Sequence, residues 1–472
     1  MKHTSIILIA GLAAIGTSGV SAQSSPDVRK MQADTTNSGT TKIVFVKTEA
    51  SPDVTTILEK DHPKEPSEVP VPHFAVKTYD NKFILTIGGK INPIVGVDMG
   101  NDLYYSMGKS PDFVGSQIPV PPQKHKKSDF FINPLNADIS LQIVGFGGTE
   151  NQITGYMRLG TNDADATITL KRAYLTWRGI TAGKKTSMFA DANAGQPPTI
   201  DPQGPGGEVM TVVYEVSYTS KSYNGFRFAG GLSMPTFYSA SGRYYGEDFT
   251  KWNGVDIAGE PVCDPLASPQ SIPDIPVWVE WSKSEWNRIR ISAIARMFRY
   301  RDMLADKMEV TAGWGAMVSG NLNPVRPLIL YGQAVYGQGI GAYIQDLQGM
   351  PLSFVPSNNH PGKMKASPMM GLSFGATYNF SPKWQVNAMG SYARIWNVSP
   401  YAIRAVATDE DGEQIPGNIN NFKHSVYAAA NVFYNISSYL QVGLEYIYGR
   451  RTTYNAGGAN DHRLQLQFKF TI

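Results

Sequence analysis

Cysteine is nearly absent from this chain, whose 472 residues include only Cys263. A single cysteine excludes an internal disulfide framework, and its distance from the N-terminus excludes a lipid-attachment cysteine behind a leader. Beyond the first 22 residues, no apolar run reaches the ~18 residues that a membrane-spanning helix needs. Charged residues make up 17% of the chain, and the formal net charge of +3 is too small to indicate nucleic-acid binding.

Sequence patterns for metal, nucleotide and nucleophilic sites are also missing. The seven histidines lack metal-ligand spacing and no HExxH pattern occurs, so we predict neither a metal nor a cofactor. Gly337, Gly339 and Gly341 lack the following lysine and the βαβ context of a phosphate loop, and are more typical of a strand bend or tight packing. No serine lies in a GxSxG turn, and His424 beside Ser425 is the one thin indication of a base and a nucleophile.

The first 80 residues differ in composition from the rest. A short basic start and an apolar stretch precede the small-x-small pattern Val20-Ser21-Ala22, which predicts an export signal over residues 1–22. Residues 23–80 are rich in proline, serine, threonine, aspartate and lysine, a composition typical of an extended periplasmic tail or linker. The remaining residues, 81–472, are assigned to one domain.

Alternation of polar and apolar residues is the dominant pattern of that domain. A period of two indicates a strand with one apolar and one polar face, and the chain ends on such a segment. Sixteen segments follow this pattern, at about 83–91, 139–143, 153–159, 167–178, 181–191, 212–218, 226–232, 277–281, 289–297, 310–316, 327–337, 370–378, 386–392, 426–434, 440–448 and 462–472.

The connections between these segments alternate in length. Those after even-numbered segments are short, as at 179–180 and 380–383, and most of those after odd-numbered segments are long, as at 234–275 and 451–461. An up-and-down membrane barrel has this asymmetry, with short periplasmic turns and long outer loops. We therefore predict an all-β transmembrane antiparallel up-and-down barrel of about 16 strands. We expect it in the outer membrane of a Gram-negative bacterium, surrounded by lipid and inserted by assembly machinery that reads the C-terminal strand.

Aromatic residues near the predicted strand ends are candidates for the two girdles at the membrane interfaces. The alternative is that they reflect the general preference of aromatic residues for strands. The set comprises Tyr104, Tyr105, Trp177, Tyr300, Trp384, Trp396 and Tyr446.

If the apolar face of each strand meets lipid, the alternate residues line the lumen. The basic residues assigned to the lumen are Lys90, Arg158, Arg172, Arg227, Arg288, Arg290, Arg296, Lys423, Arg463 and Lys469. The acidic ones are Asp138, Glu215, Glu280, Glu309 and Glu445. An excess of fixed positive charge in a confined channel favours anions.

Eight of these positions are predicted to set the selectivity of the pore, namely Arg158, Arg172, Arg227, Arg288, Arg290, Arg296, Glu280 and Glu445. Arg288, Arg290 and Arg296 share one face of one strand and form a short basic ladder. The ladder either faces a permeating solute, or pairs with carboxylates at the periplasmic side or with lipid headgroups.

The connection at 192–210 is a candidate for a constriction loop. Its prolines stiffen it and its glycines allow tight reversals, so a loop of this length is able to fold into the barrel and narrow it. Asp191, Asp201 and Glu208 would then oppose the arginines on the wall and set a transverse field. The alternative is an ordinary outer loop with solvated acids.

Five short stretches of the chain form recognisable motifs, namely Arg172-Ala173-Tyr174, Ala182-Gly183-Lys184, Phe189-Ala190-Asp191, Gly204-Pro205-Gly206 and the segment from Tyr336 to Gly341. In these stretches the chain resembles the DcaP family of outer-membrane porins. The resemblance implies a sixteen-stranded trimeric diffusion channel, often for anionic or dicarboxylate solutes. The chain departs from the family in having a proline-rich tail where the family has an N-terminal coiled coil, and in ending on isoleucine instead of an aromatic residue.

Three functions remain open at this stage. The prediction is a porin, not an enzyme: a passive channel for small hydrophilic solutes that favours small anions such as dicarboxylates, assembled as a homotrimer. A structural or adhesive surface barrel would use the long loops as its working part. A barrel enzyme acting on lipids would need a nucleophile and a base at the outer rim.

Overall fold

The computed structural model describes residues 44–47, 74–78, 82–101, 103–120, 128–134, 136–161, 167–234, 244–245, 250–264, 272–284, 286–350, 352–357, 359–396, 422–454 and 457–471. The predicted export signal and most of the predicted tail lie outside these ranges. Lys42–Ile472 form one compact unit. Within the described ranges, no helix has the length and apolar character needed to cross a membrane.

Strands account for most of the described residues. In chain order they are β1 Val44–Lys47, β2 Phe74–Lys77, β3 Phe83–Ile91, β4 Ile94–Met99, β5 Ser128–Asn133, β6 Ala137–Gly145, β7 Ile153–Thr161, β8 Ile168–Trp177, β9 Ile180–Thr186, β10 Val212–Thr219, β11 Phe226–Ser233, β12 Tyr244–Tyr245, β13 Lys251–Trp252, β14 Val255–Asp256, β15 Pro261–Asp264, β16 Ile275–Ser284, β17 Asn287–Asp302, β18 Lys307–Val325, β19 Leu328–Gln338, β20 Phe354–Pro356, β21 Met364–Ala366, β22 Pro368–Asn379, β23 Trp384–Ile395, β24 Phe422–Asn435, β25 Leu440–Thr453 and β26 Gly458–Thr471. A short helix, α1, spans Leu103–Ser106, and single 3-10 turns lie at Gly115–Gln117, Gly341–Tyr343 and Gln345–Leu347.

Sixteen antiparallel crossings form a closed barrel. β3 and β4 together make the first crossing and β5 and β6 the second, followed by β7 to β11, β16 to β19 and β22 to β26. Each crossing pairs with the next along the chain, and β26 pairs with both β3 and β4. The predicted fold and strand number are confirmed. The end with short turns is the periplasmic end and the end with long connections is the outer end.

Several strand limits differ from those predicted. The fifth crossing was expected to run to residue 191 but ends at Thr186, because the chain turns into the barrel there. The expected outer loop at 451–461 shrinks to residues 454–457, since β25 and β26 remain paired up to Thr452 and Gly458. Polar residues at strand ends obscure the alternation while the backbone ladder continues beyond the apolar band.

The two faces of each crossing meet different surroundings. On β17, Ile289 and Ile291 are 49% and 60% exposed, whereas Arg288 and Arg290 are each 8% exposed. The outward face is therefore apolar and the inward face polar, as a barrel with a lipid-facing exterior requires. Among the girdle candidates, Trp177, Trp384 and Tyr446 are exposed on the outside. Tyr104 and Tyr300 are buried, so the girdle prediction is wrong for these two.

Three inward segments fill part of the barrel. They are 103–120, 187–211 and 339–350, and only the second was predicted to fold inward. Phe189 and Val209 from the second segment pack with Tyr343 and Leu347 from the third in one buried cluster. Leu103 and Phe113 from the first segment pack on Tyr427 and Ile447 of the wall in another. The hydrophobic core of the molecule thus lies inside the barrel, between these segments and the wall.

Two short strands from the predicted tail join the sheet at the point of closure. β26 reaches only Lys90 and Ile91 of β3, which leaves the periplasmic part of that edge unpaired by the last strand. β2 pairs with β3 from Phe74 opposite Ile87 to Lys77 opposite Ile84, and β1 pairs with β2. An unpaired sheet edge is costly next to lipid, and β2 supplies the missing partner.

Gly183 and Gly332 allow a matched test of barrel geometry. Gly183 in β9 has φ +140°, and a Cβ built on it would lie 2.2 Å from the carbonyl oxygen of Ala173, whereas nothing lies within 4 Å of a Cβ on Gly332 in β19. We expect Gly183→Ala to reduce the free energy of unfolding by about 1–3 kcal/mol. Gly332→Ala should change it by less than ~0.5 kcal/mol. Urea unfolding in detergent micelles measures both, and equal effects would contradict the backbone geometry assigned to Gly183.

Candidate functional site

The segment from 187 to 211 is held against the inner wall by backbone hydrogen bonds to wall side chains. The amide of Gly207 donates to Ser391 Oγ at 3.2 Å and that of Val209 to Gln333 Oε1 at 2.6 Å. Gly207 permits this approach, since a Cβ there would lie 2.3 Å from the carbonyl oxygen of Leu372. The glycines predicted to allow tight reversals therefore also allow the loop backbone to lie directly on the barrel wall.

Asp191 meets the basic ladder where the loop begins. It forms ion pairs with Arg288 and, at 3.7 Å, with Arg290 NH1, and its Oδ2 accepts a hydrogen bond from Ser319 Oγ at 2.6 Å. Burial alone would raise the pKa of Asp191, but attraction to Arg290 and Arg288 outweighs burial and holds the pKa below its usual value. Asp191 is therefore the charged anchor of the loop.

Glu280 of β16 binds the same arginines from the wall. Its Oε2 lies 2.5 Å from Arg288 NH1 and 2.7 Å from Arg290 NH2, and its Oε1 lies 2.5 Å from Arg227 NH2. Arg290 also stacks over Trp278, with 4.3 Å between Cζ and the ring centroid. Arg288 and Arg290 are thus buried and paired on two sides, with one carboxylate on the wall and one on the loop.

Arg296, the third member of the ladder, anchors a different segment. Its Nε lies 3.0 Å from Asp274 Oδ2, an atom that also accepts a hydrogen bond from Tyr343 OH at 2.7 Å. Arg296 also donates to the backbone carbonyl of Gly339. The ladder therefore divides between two inward segments: Arg288 and Arg290 hold 187–211, and Arg296 holds 339–350.

Glu445 and Asp201 fix the tip of the loop. Glu445 accepts backbone hydrogen bonds from Ile200 at 3.0 Å and Asp201 at 2.9 Å, so this wall carboxylate holds the loop. Asp201 in turn accepts from the amide of Phe113 at 2.9 Å and from Tyr427 OH at 3.1 Å. The tip of the second inward segment is thereby tied to both the wall and the first inward segment.

Glu208 is buried without a cationic partner at ion-pair distance among the described residues. Gln345 Nε2 donates to its Oε2 at 3.4 Å. Burial, followed by repulsion from Asp191, raises the pKa of Glu208 to about 8, and burial likewise raises the pKa of Asp201 well above its usual value. Of the three acids predicted to oppose the arginines, only Asp191 pairs with them and has its pKa lowered.

Partly exposed bases follow neighbouring strands on the inner wall from β26 to β11. They are Lys469, Lys90, Arg158, Arg172, Lys185 and Arg227. The carboxylates among them are more deeply buried: the side chains of Asp138, Glu215 and Glu280 are 5%, 0% and 0% exposed. Solvent in the lumen therefore meets the bases, with the acids behind them.

The distances within this group show which bases pair with Asp138 and Glu215. Arg158 lies 2.6 Å and Lys90 3.6 Å from Asp138, and Lys185 lies 2.8 Å from Glu215. Arg172 is paired directly across from Arg158, which places both on the inward face. We define these six residues as the basic arc.

Two features of the interior went beyond the prediction. Arg463, expected only to line the lumen, is fully buried and binds Asp98 Oδ1 at 2.5 Å and the carbonyl of Pro111 at 2.7 Å, which anchors the first inward segment. Lys423, also expected in the lumen, is the extra residue of a β-bulge at the outer rim. A bulge breaks the period of two, so alternation does not decide on which face Lys423 lies.

The base and nucleophile suggested by His424 and Ser425 are not brought together. Consecutive strand residues point to opposite faces, and Ser425 is buried inside, where its hydroxyl donates to Asp346. His424 lies on the outward face, opposite Arg394 of β23. Among the described residues, no group of three or more His, Cys, Asp or Glu has the arrangement of a metal site.

Glu208 makes the stability of the loop depend on pH. Because its pKa in the folded protein lies above the unfolded value of 4.5, the stability it contributes is full below pH 4.5 and is lost as the pH rises through 8. We expect Glu208→Gln to raise the thermal midpoint by about 2–6 °C at pH 9 and to leave it unchanged at pH 4. Thermal unfolding in detergent at both pH values measures this, and a constant offset would contradict the assignment.

Comparison with known proteins gives matches among solved structures alone. No family model matches the chain, and no curated protein does. The outer membrane channel DcaP of Acinetobacter baumannii superimposes with a TM-score of 0.61 and 16% sequence identity, over 84% of this chain and 99% of that one. An anion-selective porin from Comamonas acidovorans matches with a TM-score of 0.46 and 9% identity, over 83% of this chain and 100% of that one.

The superposition on DcaP takes in 99% of that channel. At 16% identity the match establishes the fold, and a closed barrel with an apolar exterior places the chain in an outer membrane. The resemblance predicted from sequence is therefore confirmed at the level of the fold: the chain has the sixteen-stranded fold of the outer-membrane channel DcaP.

Proposed function

We propose that this protein is a passive outer-membrane porin that favours small hydrophilic anions, dicarboxylates among them. The observation that carries the proposal is the basic arc, in which six partly exposed bases line the inner wall in front of three buried carboxylates. No chemical step is required of the protein, which supplies a water-filled channel and the electrostatic field of its wall charges.

The energetics of the basic arc favour anions over cations. A unit charge about 8 Å from a permeating ion changes its energy by about 0.5 kcal/mol even in bulk water, which is roughly a twofold change in local ion concentration. The excess of bases over carboxylates along one wall multiplies that factor, and the low-dielectric barrel wall strengthens it. A dianion gains twice as much from each base as a monoanion.

The inward segments give the channel its constriction in this proposal. Arg288 and Arg290 hold the loop through Asp191, while Glu280 and Glu445 act as wall anchors. The ladder arginines then serve selectivity by keeping the loop in place and by adding to the positive field. Arg158, Arg172 and Arg227 are the members of the predicted selectivity set that belong to the basic arc.

Assembly is part of the same proposal. We infer a homotrimer embedded in outer-membrane lipid, delivered by assembly machinery that reads the apolar face of β26. Leu464 and Phe468 on that face are 42% and 45% exposed, which suits a signal read before insertion. Conductance that rises in steps of three would support the trimer.

Lys184 and Lys469 provide a matched test of anion preference. Lys469 lies on the inward face of β26, close enough to Asp138 and Arg158 to interact with both. Lys184 faces outward, opposite the exposed Tyr214. We expect Lys469→Gln to lower the anion-to-cation permeability ratio by about twofold or more, and Lys184→Gln to leave it unchanged. Reversal potentials in planar bilayers under a salt gradient measure the ratio.

A second substitution, Arg172→Gln, extends the test to the neighbouring wall, because Arg158 keeps Asp138 paired in that variant. The reversal potential should then shift in the two variants with an inward substitution, Lys469→Gln and Arg172→Gln. It should stay unchanged in Lys184→Gln, whose substitution faces outward. Cation preference in the unmodified protein would contradict the anion proposal. No conductance from protein that is folded by heat-modifiability on gels would reject the porin and favour a structural or adhesive surface barrel.

A further inference from the structure

A cationic cluster lies on the outside of the barrel at its outer end. On β23, Trp384 and Val386 are exposed on the outward face while Asn387 and Ser391 are buried on the inward face, so the same parity places Arg394 outward. Arg394 is paired opposite His424. The cluster is reached without passing through the lumen.

Two further cations complete this cluster on the neighbouring strands. Arg450 of β25 shares the outward parity of the exposed Leu444 and Tyr446, and it is paired opposite Val426, two residues from His424. Lys423 occupies the bulge beside His424. We call Arg394, Lys423, His424 and Arg450 the outer-rim cluster. All four lie where these strands approach the connection at 397–421, at the outer end.

Among the residues that the structure describes, the cations of the outer-rim cluster lie close together without carboxylate partners. His424 interacts electrostatically with Arg394, Lys423 and Arg450, all three repulsively when it is protonated. Among the described residues, no carboxylate pairs with Arg394, Lys423 or Arg450, in contrast to the interior, where buried arginines bind acids. Like charges held together raise the free energy of the fold unless an anion binds between them.

Polar atoms within the cluster also lack hydrogen-bond partners. Arg394 Nε and His424 Nδ1 are both inaccessible to solvent and have no partner within the described part of the chain. A buried polar atom without a partner costs free energy. An oxygen-rich anion between the two strands would supply acceptors for the arginine donors.

Two outward rings, Trp396 and Tyr392, lie beside the cluster as rings do at a membrane interface, and a third, Tyr454, packs against the inner core. Arg394 Cζ lies 4.9 Å from the Trp396 ring centroid, and Lys423 Nζ lies 5.5 Å from that of Tyr454. The Tyr392 ring lies 5.6 Å from the His424 ring. Tryptophan and tyrosine favour the depth of lipid headgroups, so the cations stand at the level where headgroup phosphates lie.

We propose that the outer-rim cluster binds a phosphate-bearing headgroup of an outer-leaflet lipid. Guanidinium groups match phosphate oxygens in charge and geometry, and the cluster combines two of them with an ammonium and an imidazole. The outward orientation and the continuity with the apolar face favour a lipid over a free phosphate ion, because acyl chains of the same molecule would lie along Ala388 and Tyr446 below, both exposed on the outward face. The site is separate from the lumen and does not depend on the solute.

The test measures lipid binding to purified protein in detergent by intact-complex mass spectrometry. The probes are bisphosphorylated lipid A and the same lipid A without its phosphates. We expect the unmodified protein to bind the phosphorylated form at least about tenfold more tightly. The variant Arg394→Gln/Lys423→Gln/Arg450→Gln should lose that difference and bind both forms equally.

Arg178→Gln is the matched control, since Arg178 also stacks on an outward tryptophan, Trp177, at 5.2 Å, but at the periplasmic end. This variant should keep the full preference for phosphorylated lipid A. Equal binding of both lipid A forms to the unmodified protein would overturn the proposal. Displacement of lipid A by an equimolar amount of inorganic phosphate would also overturn it. A triple variant that loses its oligomeric state but keeps the preference for phosphorylated lipid A would overturn it as well, and would assign the cluster to contacts between copies of the chain.

Discussion

Backbone hydrogen bonding in a medium without water is the constraint on which the whole structure depends. Every amide and carbonyl at membrane depth must be paired, and a sheet meets that demand only when its edges close. Here the closing strand β26 stops at Lys90 of β3, and β2 pairs with the remaining edge. Closure fixes one face of each strand toward lipid and the other inward. The position of a residue in the two-residue alternation of its strand, its parity, therefore decides whether its side chain meets lipid or the interior.

The interior faces the opposite problem, because polar groups inside the barrel are packed under inward segments and must find partners there. Arg288, Arg290, Arg296 and Arg463 do so by binding carboxylates or carbonyls of those segments. A buried ion pair is costly to break, since either partner alone leaves an uncompensated charge. The same charges that the sequence analysis assigned to the solute therefore hold the inward segments in place.

Sequence predicted the elements that parity determines and missed those that depend on contacts between distant residues. The sixteen crossings followed from alternation and from loop lengths, because both are local. The inward folding of 103–120 and 339–350 depends on pairs such as Arg463 with Asp98 and Arg296 with Asp274, separated by 365 and 22 residues. The sequence did contain a usable signal of this inward folding, because apolar residues in a loop that faced water would have no reason to cluster. These apolar residues are Phe113, Ile118 and Tyr343.

Parity also separates two kinds of positive charge that composition cannot tell apart. Lys184 and Lys185 are consecutive in β9, yet Lys185 binds Glu215 inside the barrel and Lys184 Nζ bonds to the carbonyl of Leu170 outside. Bases inside the barrel share buried acids, and in the proposed function their excess supplies the positive field for solutes. The bases of the outer-rim cluster, outside the barrel, have no carboxylate partner among the described residues, and Arg394 and Lys423 stand beside aromatic rings. A chain with a net charge of only +3 can therefore present positive charge to two different phases, because the strand period sorts each base into one of them.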